Sequence, residues 1–131
     1  LTASPQSVVF TGRLNDDEYY QTLCSAHVMM MTRTDSAFAN AGFPYKLGEY
    51  LATGNPVICS NVSDISLYLE NMKNAIIIKP DDEHDLVEAM CFCYQNYELA
   101  RCIGGEGRKI CEQFFNPETN SKLFYDLLKA C

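Results

Sequence analysis

The sequence predicts an α/β fold: a three-layer α/β/α arrangement on a parallel sheet of about four strands, followed by C-terminal helices. Three observations carry this. The runs Ser7–Thr11, His27–Met31, Pro56–Ser60 and Ala75–Ile78 are apolar or small almost throughout rather than alternating. Strands of that kind are buried on both faces, as parallel strands are. Between and after them, apolar residues recur at helical spacing.

The elements follow in order. Ser7-Val8-Val9-Phe10-Thr11 reads as a buried strand ending at Gly12. Asp16 to Ser25 reads as a helix, with Tyr19, Tyr20, Leu23 and Cys24 spaced along it and Asn15 or Asp16 able to cap its start. His27 to Met31 is the second strand, and the small polar stretch Thr32 to Ala41 is a loop. Pro44 suits the first position of the next helix, because its φ is fixed and its missing N–H has no partner there. Gly54 ends that helix after Thr53. Pro56 to Ser60 is the third strand, Ser63 to Asn71 a helical segment, and Ala75 to Ile78 the fourth strand.

Pro80-Asp81-Asp82-Glu83-His84-Asp85 is an acidic helix start, favoured by the macrodipole. Leu86, Met90, Cys93, Tyr94 and Tyr97 place one packed face on that helix. Glu98 to Phe115 is a further helix, loosened around Gly104-Gly105. Pro117 opens the last one, with Leu123, Phe124, Leu127 and Leu128 apolar.

Composition narrows the functions. The chain has 131 residues, enough for one domain with its own core. No apolar run is long enough to span a bilayer, and the first residues lack a secretory pattern. The first residue is Leu1 rather than Met, so the sequence reads as a piece of something longer. A net charge of −7 argues against a nucleic-acid binder, which needs a basic surface, but leaves room for one basic pocket. The seven cysteines are odd in number and form no CxxC pair. They read as small buried hydrophobes in a reducing compartment, with Cys59 in a strand and Cys93 on a helix face. The spacing fits no metal site, and only His27 and His84 could join one.

Ligands of such sheets bind outside the carboxyl ends of the strands. Gly12-Arg13, Thr32-Arg33 and Ser60-Asn61 lie at those ends, and the 41–49 segment follows the second. On the 44–53 helix, Leu47 and Leu51 share one face, while Lys46, Glu49 and Thr53 lie opposite. That opposite face is either solvated, with a Lys46–Glu49 pair, or a ligand face. In the second case Lys46 neutralises phosphate, Glu49 accepts from vicinal hydroxyls, and the open helix start at Gly42–Tyr45 adds N–H donors. Arg13 and Arg33 are surface residues in turns or guanidinium groups at the same edge, and Asp35 is a turn or cap residue. Gly104-Gly105-Glu106-Gly107-Arg108-Lys109 is no P-loop: no Ser or Thr follows the lysine. The eight tyrosines mostly sit at helix-face spacing and read as core rather than a stacking platform.

The stretch Phe43-Pro44-x-Lys46-Leu47-x-Glu49-Tyr50-Leu51-Ala52-x-Gly54-x-Pro56-Val57-Ile58 resembles the C-terminal, donor-binding domain of GT-B glycosyltransferases. The nearest group is family 4, the retaining "glycosyl transferases group 1" enzymes. Val8-x-Phe10-x-Gly12, Ala26 to Met31 and Phe114 extend the resemblance over nearly the whole chain. It implies a Rossmann-like domain and donor-binding roles for Gly12, Arg13, Gly42, Phe43, Pro44, Tyr45, Lys46, Leu47 and Glu49. The family's acidic motif has two glutamates separated by seven residues. Glu49 matches the second, which holds the ribose. The first, which contacts the transferred sugar, falls on Ala41. Pro44 replaces the usual glycine, which removes one N–H, and Asn61-Val62-Ser63-Asp64 stands where the family often has glycines.

The family domain begins with two further strands, the first carrying an Arg…Lys set for the diphosphate, and nothing before Ser7 matches them. The resemblance therefore implies that residues 1–131 are a partial C-terminal domain, without the acceptor-binding N-terminal domain and inactive alone. It implies a nucleotide-sugar donor, a sugar or lipid-linked acceptor, glycan or polysaccharide synthesis, no cofactor and no metal. The setting it implies is cytoplasmic, with the complete enzyme at the membrane face. The piece is expected to rearrange, leave a gap in its sheet, or pair with another copy. The competing reading is a non-catalytic Rossmann-like module for protein association.

Overall fold

A computed structural model describes residues 8–130. Its elements are α1 (Asp16–Ser25), β1 (Met29–Met31), α2 (Ala37–Asn40), α3 (Tyr45–Ala52), β2 (Val57–Ser60), α4 (Ile65–Tyr68), β3 (Ile76–Ile78), α5 (Glu83–Gln95), α6 (Tyr97–Phe114) and α7 (Pro117–Ala130). The strands form one parallel sheet in the order β1-β2-β3. Met29 pairs with Val57, and Ile58 with Ile76. The α/β class and the parallel sheet are as the sequence predicts.

All of β2 is buried, and its alternate residues feed two cores. Val57 and Cys59 join Leu47, Leu51, Val62, Ile65 and Leu69 on one face. Ile58 joins Ile76, Ile78, Ala89, Cys93, Ala100 and Ile103 on the other. Successive strand side chains point to opposite faces, so a central strand needs both neighbours apolar. Helix α6 serves both cores, with Ala100 and Ile103 in one and Ile110 and Cys111 packed against the other.

Several expectations change. The segment Val8–Thr11 is not a strand, and Ser7 lies outside the described residues. Val9 and Phe10 are 81% and 92% exposed, because no strand among the described residues lies beside them to satisfy their backbone. The sheet thus has three strands among the described residues. Within the expected loop 32–41, Ser36 caps the short helix α2 by accepting from the Ala39 amide at 3.1 Å. The Ser63–Asn71 segment shortens to α4, because Asn side chains compete for the backbone after it. Asn74 Oδ1 accepts from the Glu70 amide and Asn71 Oδ1 from the Ile77 amide, each at 2.8 Å.

Helix α6 is not loosened at Gly104-Gly105; it is continuous from Tyr97 to Phe114. A Cβ at Gly104 would fall 2.6 Å from the Gly54 carbonyl oxygen, and one at Gly107 2.5 Å from that of Asn74. These two glycines let α6 lie directly on the turns after α3 and before β3. The tyrosines are also less buried than expected: Tyr45 and Tyr94 are 84% and 89% exposed. Cys59 and Cys93 are buried, whereas Cys24, Cys91 and Cys102 are exposed. No helix among the described residues is long and apolar enough to cross a membrane.

Candidate functional site

The carboxyl ends of the strands open into two cavities that share Arg33. One, of about 300 Å³, lies over Thr32, Ser60 and Ile78 and meets the acidic start of α5. Asp82 caps that helix by accepting from the His84 and Asp85 amides, both at 3.1 Å. The Asp85 amide is the main cause that holds the Asp82 carboxyl below the usual carboxylate range.

The other cavity, of about 580 Å³, lies at the end of β1, between Met31 and Arg33 and the loop that enters α3. Its wall includes Gly42, Phe43, Pro44, Tyr45 and Lys46. Pro44 is the residue before the helix rather than its first residue, and no side chain caps α3 there. The Leu47 amide donates to the Pro44 carbonyl at 3.0 Å, and no side chain among the described residues accepts from the Tyr45 or Lys46 amide. Lys46 is exposed, and neither Lys46 nor Arg33 has a carboxylate partner among the described residues. The Arg33 amide is tied to the buried Ser60 hydroxyl at 2.9 Å, which fixes the backbone from which the guanidinium extends. Asp35 accepts from the Asn40 side chain at 2.7 Å, and Ser36 rather than Asp35 caps α2.

The entering loop is fixed by an aromatic cluster. The Phe43 ring lies 5.5 Å from that of Tyr68 and 5.1 Å from that of Phe115, and Tyr68 meets Phe114 at 5.6 Å. Such offset and edge contacts are each worth about 0.5–1.5 kcal/mol beyond burial. They clamp the loop to the end of α6. Sequence reasoning missed this cluster, because its members lie far apart along the chain.

Glu49 does not line the cavity at the end of β1. It lines an adjoining groove of about 760 Å³ that shares Phe43 and Tyr45 with it and runs to Cys111, Phe115 and Pro117. The Lys46–Glu49 pair is not formed among the described residues. Instead, Glu49 Oε2 accepts from the Tyr19 hydroxyl of α1 at 2.6 Å, in a half-buried setting. That carboxylate acceptor, and then burial, push the Tyr19 phenol up to about 12.

The remaining expected site residues separate. Leu47 is fully buried in the core, so its side chain cannot meet a ligand: the helix face that carries it is the one facing β2. Gly12, at φ +66°, and the exposed Arg13 line neither the β1 cavity nor the groove; among the described residues no strand precedes them to aim them there. Arg33, by contrast, borders both strand-end cavities. Its position just after β1 was the available signal. Arg108 and Lys109 are spoken for, pairing with Glu112 and Glu106 along α6. Among the described residues, no group of three or more His, Cys, Asp or Glu side chains is placed to hold a metal ion.

The family described as glycosyl transferases group 1 matches residues 2–96. O-antigen chain mannosyltransferase C of Escherichia coli is 29% identical over 115 residues, covering 86% of this chain and 30% of that protein. HepE of Anabaena, solved in complex with UDP-glucose, superposes with a TM-score of 0.76 at 18% identity, over 85% of this chain and 29% of that one. Sucrose-phosphate synthase of Thermosynechococcus elongatus gives a TM-score of 0.75 at 24% identity, over 97% and 32%. The fold is shared with both, and the chain spans about a third of the length of each relative.

Proposed function

The chain belongs to the glycosyl transferases group 1 family, and from that premise we propose that it holds the nucleotide part of a nucleotide-sugar donor. In this reading residues 1–131 are part of the C-terminal, donor-binding domain of a retaining hexosyltransferase. The complete enzyme works in glycan or polysaccharide synthesis at the cytoplasmic face of a membrane. The similarity to an O-antigen chain mannosyltransferase supports glycan or polysaccharide synthesis, and the complexes of HepE with UDP and with UDP-glucose support the donor class.

The observation that carries the reading is the cavity at the end of β1, where Arg33, Lys46 and the uncapped start of α3 meet. Two cationic side chains and a helix N-terminus suit a diphosphate. Phosphate bound there leaves the ribose hydroxyls to Glu49 in the adjoining groove, one helical turn further on. During transfer, charge develops on the departing diphosphate, and fixed positive groups stabilise it most at that moment. The domain supplies donor binding only. The acceptor and the opposite wall of the reaction site belong to an N-terminal domain, and residues 1–131 do not transfer sugar by themselves. No metal and no cofactor enter this reading.

Isothermal titration with UDP, GDP and ADP, each against its nucleoside, tests it. One diphosphate binds well above its nucleoside, and Arg33→Ala or Lys46→Ala erodes that preference by about ten-fold, the effect of losing one charge-assisted hydrogen bond. Equal binding of nucleoside and diphosphate refutes the phosphate role.

A second reading, a module for protein association, is favoured by one observation. Leu123, Phe124, Leu127 and Leu128 of α7 are each 59–64% exposed. A tight dimer in light scattering, without nucleotide affinity, supports that alternative.

A further inference from the structure

We propose that Tyr19 is a positioning residue for the Glu49 carboxylate, holding it so that its remaining acceptor sites face a ribose diol. The inference rests on the nucleotide reading above and adds to it a residue of a different helix. Tyr19 lies on α1 and Glu49 on α3, thirty positions apart, and the Tyr19 hydroxyl donates to Glu49 Oε2 at 2.6 Å. Among the described residues this is the hydrogen bond made by the Glu49 side chain; Lys46, the neighbour able to pair with it, does not.

A glutamate on the face of a short helix samples several rotamers, and ordering it costs binding free energy. A charge-assisted O–H···O⁻ bond of this length is among the stronger single contacts a carboxylate makes. A carboxylate offers about four acceptor sites, so one phenol bond leaves both sites on Oε1 and a second on Oε2. That remainder matches two vicinal hydroxyl donors. The anchor is itself held: the α1 start is closed by a reciprocal Asn15–Glu18 capping box, with the Glu18 amide donating to Asn15 Oδ1 at 2.9 Å and the Asn15 amide to Glu18 Oε2 at 3.1 Å. Tyr20 stacks edge-on against Tyr19 at 5.6 Å. Tyr19 thus acts through Glu49 and needs no contact with the ligand.

The test is titration calorimetry on the full chain with the best-bound of UDP, GDP and ADP and with its 2′,3′-dideoxy counterpart. The proteins are the wild type, Tyr19→Phe, Glu49→Gln and the double variant, with thermal melts of all four to verify folding. Tyr19→Phe keeps the ring and its packing. It is expected to weaken the ribonucleotide by about three- to ten-fold, the effect of one side chain left to be ordered on binding. It leaves the dideoxy compound unchanged and adds nothing in the Glu49→Gln background. A Tyr19→Phe protein that binds the ribonucleotide as the wild type does, or that loses both compounds equally, or that adds its full effect to Glu49→Gln, overturns the positioning role alone. A Glu49→Gln protein that keeps the wild-type preference for ribose over dideoxyribose overturns the ribose reading itself, whatever Tyr19→Phe does.

Discussion

Alanine at Gly104 destabilises the domain, and alanine at the adjacent Gly105 stabilises it. Both glycines lie inside α6, where glycine costs about 0.5–1 kcal/mol relative to alanine through backbone entropy. At Gly105 a Cβ meets nothing within 4 Å, so the substitution keeps that whole gain. At Gly104 the added carbon falls 2.5 Å from the Asn55 carbonyl carbon, 2.6 Å from the Gly54 oxygen and 2.7 Å from the Asn55 oxygen. All three are backbone atoms of the turn between α3 and β2, and no side chain can swing aside. The helix or the turn must move by about 1 Å, and overpacking of this kind costs about 1–3 kcal/mol. Both partners are main chain, so the cost belongs near the top of that range. The net is a loss of about 2 kcal/mol at Gly104 against a gain of about 0.5–1 kcal/mol at Gly105. Urea unfolding followed by far-UV circular dichroism reads the difference directly as a shift in midpoint at constant slope. If Gly104→Ala unfolds at the wild-type midpoint, α6 does not lie directly on the 54–55 turn, and the close approach of helix to turn is refuted.

Three further outcomes follow from particular contacts. Leu47→Ala empties a fully buried site and costs about 2–5 kcal/mol; a loss under about 1 kcal/mol in the same urea assay contradicts its place in the core. The Tyr19 phenol bonds Glu49 in its protonated form, so its stabilisation is complete below the unfolded value of about 10 and is lost as pH rises through about 12. The urea midpoints of wild type and Tyr19→Phe should therefore differ by a constant amount below pH ~10 and converge above it; a gap that widens there contradicts the hydrogen bond. Burial pushes the Cys59 thiol up to about 12, so native protein treated with iodoacetamide should be alkylated at Cys24, Cys91 and Cys102 well before Cys59. Peptide mass mapping that finds Cys59 among the first modified would contradict its burial.

Much of the fold was legible along the chain because its signals are local. Periodicity located helix α1 to the residue, and the apolar runs located β1, β2 and β3 within one or two positions. The 42–46 wall of the strand-end cavity was also legible, since a proline at the entry to a helix is a local pattern, although Pro44 precedes the helix rather than opening it. The failures are of another kind. Val8–Thr11 has strand composition, but a strand exists only with a neighbour to pair with. Gly104-Gly105 looks like a weak point in isolation and is a packing surface once the 54–55 turn is laid against it. Lys46–Glu49 has the spacing of an ion pair and loses to a tyrosine from another helix.

The order of residues alone therefore determined the class of fold, the boundaries of most elements and the segment that builds the cavity. Those depend on backbone propensity and on which residues prefer to leave water, and both act over a few positions at a time. Tertiary structure alone decided which glycines of α6 are replaceable, that Arg33 rather than Arg13 reaches the cavity, and that Tyr19 holds Glu49. Each of these depends on two chain segments meeting at a distance of a few ångströms, and no pattern within either segment encodes that meeting.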